Sequence, residues 1–327
     1  MKILVIGGAG YIGAHCARVA ALQGHEIFIF DDFSSGHRWA CDDFPVFVGN
    51  ILDQDYLAHC MRGVDAVFHC AAKIVVSESV ERPDWYALNN IEGTVSTLGA
   101  MSKNSCKVLA FSSTAAVYGI PLDSRSLVEL DPINPINPYG ESKAVAESLI
   151  EDWARKDVRS ATVFRYFNAA GALPDWRLGE LHEPETHLIP NVINSLLNPD
   201  IYTFELFGCD YPTHDGSCIR DYVHVADIAS AHLLALKARR PGCRIFNLGH
   251  GSGYSNLEVM QACADAVGVP LRYEVSSRRS GDPPALVTSN ELAKADLGWL
   301  PLQSDLKTIV GDAVRWHRDI LPEIQTK

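Results

Sequence analysis

The chain has 327 residues, 47% hydrophobic and 21% charged, a globular composition long enough for a large core and more than one domain. Its 28 basic residues against 40 acidic ones leave a net charge of -12, which argues against nucleic acid or an anionic membrane as partner. Any phosphate it holds must therefore be gripped by local features. The nine cysteines are an odd number with no Cys-x-x-Cys spacing. They read as reduced thiols of a cytoplasmic protein, with neither a disulfide framework nor a metal site. The opening MKILVIGGAGYIGAHCARVAAL mimics a signal peptide only superficially, because glycines break its apolar run and an amphipathic helix follows. No segment is long and apolar enough to span a membrane.

In chain order, short β-rich runs alternate with helical patterns. KILVIG, EIFIFD, PVFVG, AVFHCA, KVLAFSS and SATVFRYF read as strands. IGAHCARVAALQG, DQDYLAHCMRG, TVSTLGAMSKN and the run after Pro138 read as helices. This alternation predicts an α/β fold with a doubly wound parallel sheet of Rossmann type. The first strand ends in Gly-x-x-Gly-x-x-Gly, formed by Gly7, Gly10 and Gly13 around Tyr11 and Ile12. Glycines here permit a tight turn and close approach to a pyrophosphate, and the helix N-terminus supplies free N–H groups and a positive dipole end. The second strand ends in Asp31, eighteen residues beyond Gly13. An acid there accepts the ribose hydroxyls and repels a 2′-phosphate, so the expected cofactor is NAD.

The strand in AFSSTAAVYG brings Ser112, Ser113 and Thr114 to the carboxyl edge of the sheet, where such sheets bind ligands. NPYGESK then places Tyr139 and Lys143 four residues apart on one helical face, with Pro138 at the helix start. A nearby ammonium favours a phenolate, which makes this tyrosine a candidate proton carrier. Beyond Asn168 the pattern loosens, and ALPDWRLGELHEPETHLIPN reads as a transition. RIFNLG, Arg244 to Gly249, looks like a sheet strand again. The expected organisation is a dinucleotide-binding domain over 1–170, with return segments at about 217–250, and a smaller mixed α/β substrate region over 171–327.

GGAGYIGAH, SSTAAVYG, PYGESK, FRYFNAAGA, DYPTHDGSCIRDYVHVADIASAH and RRSGDPP occur in this order. With them the chain resembles the extended short-chain dehydrogenase/reductase family and, within it, the UDP-glucose (UDP-galactose) 4-epimerases, almost end to end. The resemblance implies bound NAD and a UDP-sugar whose C4 is oxidised and re-reduced. Tyr139 would take the O4 proton, Lys143 would hold the nicotinamide ribose and lower the tyrosine pKa, and Thr114 would orient the substrate or relay the proton. Gly7, Gly10, Tyr11, Ile12, Gly13, Asp31, Asn50, Ile51, Asn89 and Tyr166 would contact the cofactor, with Asn50 replacing the usual Asp and Asn90 completing an Asn pair. Asn168, Arg220 and Arg279 would bind the diphosphate. Leu188 and Phe207 would pack on the uridine, and Asp282 would bond its ribose. Leu286 stands where bulk decides whether N-acetylated sugars enter, and leucine is intermediate. A homodimer is the expected assembly.

Two rival readings remain. Nucleotide-sugar dehydratases carry Asp-Glu after the strand threonine, but here Ala115 and Ala116 have no proton to give. Other nucleotide-sugar epimerases, acting on uronate, pentose or N-acetylhexosamine nucleotides, are harder to separate. A catalytically silent NAD sensor would usually lack the Tyr/Lys pair.

Overall fold

The computed structural model describes residues 1–279 and 281–326; Ser280, within RRSGDPP, lies outside them. Six of its sheet strands follow in order: β1 (Lys2–Ile6), β2 (Glu26–Asp31), β3 (Val46–Val48), β4 (Ala66–His69), β5 (Val108–Thr114) and β6 (Ser160–Tyr166). A seventh, Gly242–Leu248, joins from far along the chain and pairs with β6. All seven run parallel, in the spatial order Gly242–Leu248, β6, β5, β4, β1, β2, β3. Ile3 to Ile6 are fully buried, as a strand covered on both faces requires.

The order reverses between β1 and β4, so connections leave the two strands in opposite directions and open a crevice at their carboxyl ends. Helices Tyr11–Leu22 and Val225–Lys237 cover one face of the sheet. Helices Gln54–Cys60, Gly93–Lys103 and Pro138–Ala154 cover the other. The last of these starts where local chemistry dictates. Asn137 accepts a hydrogen bond from the Gly140 N–H at 2.8 Å, and Pro138 occupies the first turn.

A second sheet centres on Ile219–His224. It pairs with Asn168–Ala170, Gly253–Ser255 and Ala285–Leu286. Helices Leu188–Leu197, Asn256–Val267 and Leu306–Arg315 share a separate core behind it. The apparent transition after Asn168 thus contains a strand, a long excursion and a helix. Its loop residues face a cleft described below.

One buried polar network binds the β5–β6 side of the first sheet to its covering helix. Arg165 on β6 donates to both carboxylate oxygens of Glu147, with distances of 2.6 to 3.2 Å. Both side chains are almost fully buried. Ser113 on β5 also donates to Glu147. Arg165 reaches the Tyr118 hydroxyl at 2.8 Å, and Tyr118 reaches Asn247 at 2.7 Å. Removing one member of such a pair strands a charge in the interior. Glu147→Ala should lower unfolding stability by about 3–5 kcal/mol, read by denaturant unfolding; a loss below about 1 kcal/mol, the value of a surface pair, would contradict this reading.

Candidate active site

The turn after β1 is built to let something approach the backbone. Gly7 has φ 76°, and a Cβ there would lie 2.5 Å from the Ala71 nitrogen. A Cβ on Gly13 would lie 2.1 Å from the Gly7 carbonyl oxygen, so the helix packs against the turn only without one. At Gly10 the nearest atom to such a Cβ is 3.5 Å away, and this side of the loop stays open. The helix starts at Tyr11 with no side-chain cap, so its first N–H groups remain available to an anion. Tyr11 and Ile12 contribute here through backbone, and the Tyr11 hydroxyl donates to the Gly171 carbonyl at 2.7 Å.

Asp31 closes the neighbouring strand. Its carboxylate accepts from the Ala9 and Phe33 N–H groups at 2.9 and 2.8 Å, which aligns it while leaving lone pairs for hydroxyls. Burial raises its pKa and these N–H groups oppose that. Asn50 is exposed, and its side-chain oxygen already accepts from Leu52 N–H at 2.9 Å. The Ile51 side chain is buried in the core, so only its backbone is free to serve a ligand.

Tyr139 and Lys143 lie in the first turns of the Pro138–Ala154 helix, beside the end of β5. Lys143 is buried, donates to the Ser112 carbonyl at 2.8 Å and sits 4.6 Å from the centre of the Phe111 ring. Burial pulls its pKa down to about 8, against the raising pull of Cys70 and Glu147. Tyr139 keeps part of its surface open, yet burial pushes its phenol up to about 12, with the Thr114 hydroxyl pulling down. The expected lowering of this phenol by Lys143 is therefore not a property of the chain alone. Burial sets the direction for this phenol, and the ammonium donates instead to Ser112. Thr114 accepts from the Ala116 N–H at 3.1 Å, which leaves its own proton to donate.

Of the Asn pair, Asn89 is half-buried, whereas Asn90 is buried and locks the site together. Asn90 accepts from Lys73 N–H at 2.8 Å and donates to the Ser142 hydroxyl at 3.0 Å, and Ser142 donates to the Tyr139 carbonyl at 2.8 Å. Both asparagines lie in a π-helical segment, Ala87–Glu92, of a kind often found at functional sites. Tyr166 pairs in register with Thr114, and its hydroxyl is shared between Ser112 and His232 at 3.0 and 3.1 Å.

Two residues beyond Tyr166, Asn168 lines a cleft of about 700 Å³. Leu188, Phe207, Arg220, Arg279 and Asp282 line it too, so the structure brings together six residues far apart in sequence. Arg220 donates to the Ile219 and Pro283 carbonyls at 2.8 and 2.9 Å and pairs with Asp282 at 3.3 Å. The Arg279 guanidinium covers the Phe207 ring at 4.1 Å. Leu286 lies outside this cleft, against the cluster of Ala115, Val117, Tyr118, Leu127 and Phe167 that follows Thr114.

Sequence reasoning missed Glu180, His182, Glu185 and His187, which stand in the cleft wall. Their spacing within ELHEPETH was the available signal. Burial depresses both imidazoles, but the carboxylates win and raise His182 to about 9 and His187 to about 10.

A glycine-rich turn at a switch point, a Tyr/Lys pair on a covering helix and a cleft bearing two arginines define a dinucleotide-dependent enzyme of the short-chain type. Residues 3–249 match the model of the NAD dependent epimerase/dehydratase family, and the chain belongs to that family. A UDP-glucose 4-epimerase of Lactobacillus helveticus is 44% identical over 324 residues, spanning 97% of each chain. The structure of UDP-glucose 4-epimerase from Brucella ovis in complex with NAD superposes with a TM-score of 0.90 at 41% identity, covering 96% of this chain and 97% of that one. The Bifidobacterium longum enzyme, solved with NAD+ and UDP, gives 0.91 at 30% identity over 97% and 98%.

The burial of Lys143 yields a measurable consequence. In the ligand-free chain its Nζ should titrate near 8, against about 10.4 for a free lysine. The folded pKa is the lower one, so the unfolded chain binds more protons between these values and stability rises with pH across that window. Lysine side-chain NMR, with Lys143→Met to assign the signal, checks it; a midpoint near the free value overturns it.

Proposed function

We propose that this enzyme interconverts UDP-glucose and UDP-galactose by NAD-dependent epimerisation at C4. The observation that carries this reading is continuity. Thr114 and Tyr166 are register partners at the sheet edge, and Asn168, two residues on, already belongs to the arginine-bearing cleft. A group bound in that cleft would extend past Asn168 toward Thr114 and Tyr139. The relatives named above, one solved with NAD and one with NAD+ and UDP, support the same assignment.

The residues fit the cofactor. Gly7 and Gly13 form a cradle that a Cβ would fill, and Asp31 stands at the second strand end. Gly7, Gly10, Tyr11, Ile12 and Gly13 would hold the pyrophosphate, Asp31 a ribose, Asn50 and Ile51 the adenine, and Lys143 with Asn89 and Tyr166 the nicotinamide end. Bound there, NAD supplies the reversible two-electron chemistry that carries the hexose through a transient 4-keto form. Tyr139 accepts the O4 proton and returns it. Thr114 donates to the phenolate and steadies it. Lys143, anchored on Ser112, adds positive charge beside them.

Arg220 and Arg279 hold the diphosphate with Asn168, exploiting the forked geometry of guanidinium. This requires Arg220 to share itself between Asp282 and phosphate, and Arg279 to swing off Phe207 so that the ring meets the uridine. Leu188 packs beside it, and Asp282 takes the ribose. Ala115 and Ala116 remove the acid–base pair that a dehydratase needs. Leu286, behind that segment, leaves more space than a tyrosine, and N-acetylated sugars are at least partly accepted. Residues 1–170 with the return at about 217–250 serve NAD, and 171–327 mainly serve the nucleotide sugar.

The exposed Leu88, Val95 and Val145 lie on three helical segments around the site and support a homodimer through these helices. All nine cysteines are free, which supports a cytoplasmic setting. Among the described residues no helix is long and apolar enough to cross a membrane.

Purified enzyme should interconvert UDP-glucose and UDP-galactose without added reductant. Tyr139→Phe should retain NAD and the fold but lose about 100-fold or more in kcat, the scale of a proton-transfer residue. Near-normal turnover in that variant would exclude the proton role. A second comparison uses UDP-N-acetylgalactosamine: measurable turnover is expected, with Leu286→Tyr suppressing it selectively, and no detectable turnover would defeat the size argument.

A further inference from the structure

We propose that Glu180, His182, Glu185 and His187 form a structural site for a divalent transition cation of the zinc class. The inference does not rest on the epimerase reading. One ligand atom from each residue lies within 4.8 Å of all the others. The His182 Nδ1 stands 3.3 Å from Glu180 Oε1 and 3.7 Å from Glu185 Oε2; the His187 Nδ1 stands 2.8 Å from Glu180 Oε1 and 3.3 Å from Glu185 Oε1. In a tetrahedral site with bonds of about 2.1 Å, neighbouring ligand atoms lie roughly 3.4 Å apart. The separations lie around that edge length, and binding draws one Glu185 oxygen into the set.

The ion pairs of this cluster leave one of its nitrogens without a hydrogen bond. His182 Nδ1 is shielded from solvent and faces two carboxylates, yet it makes no hydrogen bond. A nitrogen this close to two carboxylates yet without a hydrogen bond is free to bind an ion that they share. Two carboxylates also cancel the charge of a divalent ion while the imidazoles bind as neutral donors. Imidazole nitrogens favour zinc, cobalt or nickel over calcium and magnesium, and the absence of thiolate from the set disfavours softer ions.

The surroundings hold these ligands in place. The Glu180 carbonyl accepts from the indole N–H of fully buried Trp316 at 2.8 Å. The Glu185 carboxylate accepts from Thr186 and His187 N–H at 2.8 and 2.9 Å. Supporting contacts of this kind fix first ligands in metal sites. Four protein ligands leave no open position, so the ion acts by cross-linking. It ties the 180–187 loop to the start of the Leu188–Leu197 helix and stiffens one wall of the cleft.

Metal analysis of full-length protein purified without chelator, with zinc supplied, should find one zinc per chain. After chelator stripping, added zinc should raise the melting temperature by about 5 °C or more through ligand linkage. Cobalt in its place should give the intense visible bands of a four-coordinate ion. His182→Asn with His187→Asn should weaken zinc binding by about a hundredfold or more and abolish the shift. If that pair fails to fold, Glu185→Gln serves, with the same expectation in weaker form. No stoichiometric metal and no zinc-dependent shift in wild type overturns the proposal, as does metal retained undiminished by the variants.

Discussion

The site depends on one buried charge pair. Glu147 and Arg165 join the Pro138–Ala154 helix to β6, and Ser113 and Tyr118 draw in β5 and the turn after it. Such a pair is weak evidence for stability in itself, because desolvation offsets most of the attraction. Its value here is positional. Glu147 lies one helical turn beyond Lys143 and two beyond Tyr139, so fixing its carboxylate fixes the rotation of that helix about its own axis. A small rotation would carry Lys143 away from the Ser112 carbonyl and the phenol away from Thr114. Asn90 holds the first turns of the same helix through Ser142, which lies between Tyr139 and Lys143. The reactive groups are thus flanked by two hydrogen-bonded anchors on a rigid element.

That rigidity has an electrostatic consequence. Burial drives both members of the Tyr139/Lys143 pair toward their neutral forms, the phenol to about 12 and the ammonium to about 8. Lys143 still holds its proton for most of the time at neutral pH, but its ammonium faces a carbonyl and an aromatic ring. Tyr139 therefore becomes a useful base only beside further positive charge. Bound as proposed, an oxidised nicotinamide would offer that charge and so link base strength to cofactor occupancy. An enzyme with net charge -12 otherwise gives its phenol no reason to ionise.

Much of this was legible in the sequence because it depends on local pattern. The strand runs, the glycine spacing and the Tyr139/Lys143 interval each encode their geometry within a few residues. β1 to β6 appear where the apolar runs lie. The parts that were not legible depend on distant partners. Nothing near Asn90 indicates that it, rather than Asn89, spans Lys73 and Ser142. The lowering of the Tyr139 pKa by Lys143 was expected from their spacing alone; burial, which spacing does not reveal, reverses the sign for the isolated chain. The loop from Glu180 to His187 looked like a transition because it has no periodicity, yet its side chains converge in space.

The two ends of the proposed substrate meet different surroundings. Arg220, Arg279, Asn168 and Asp282 offer charge and directed hydrogen bonds at one end of the site. Around the segment after Thr114 the chain presents Ala115, Ala116 and, behind them, Leu286. Charge-assisted hydrogen bonds to phosphate are strong and fix orientation, whereas apolar side chains offer a sugar no directed hydrogen bond. Inversion at C4 requires the reacting carbon to show both faces to the same catalytic edge without the ligand escaping. A firm hold on the diphosphate with few polar ties on the sugar meets both demands. Adding hydrogen-bonding groups around the sugar would tighten binding but would favour one face over the other, and the barrier between the two orientations would rise by the strength of each new bond. On this proposal the alanines after Thr114, by offering no such bonds, assist the inversion that Tyr139 serves.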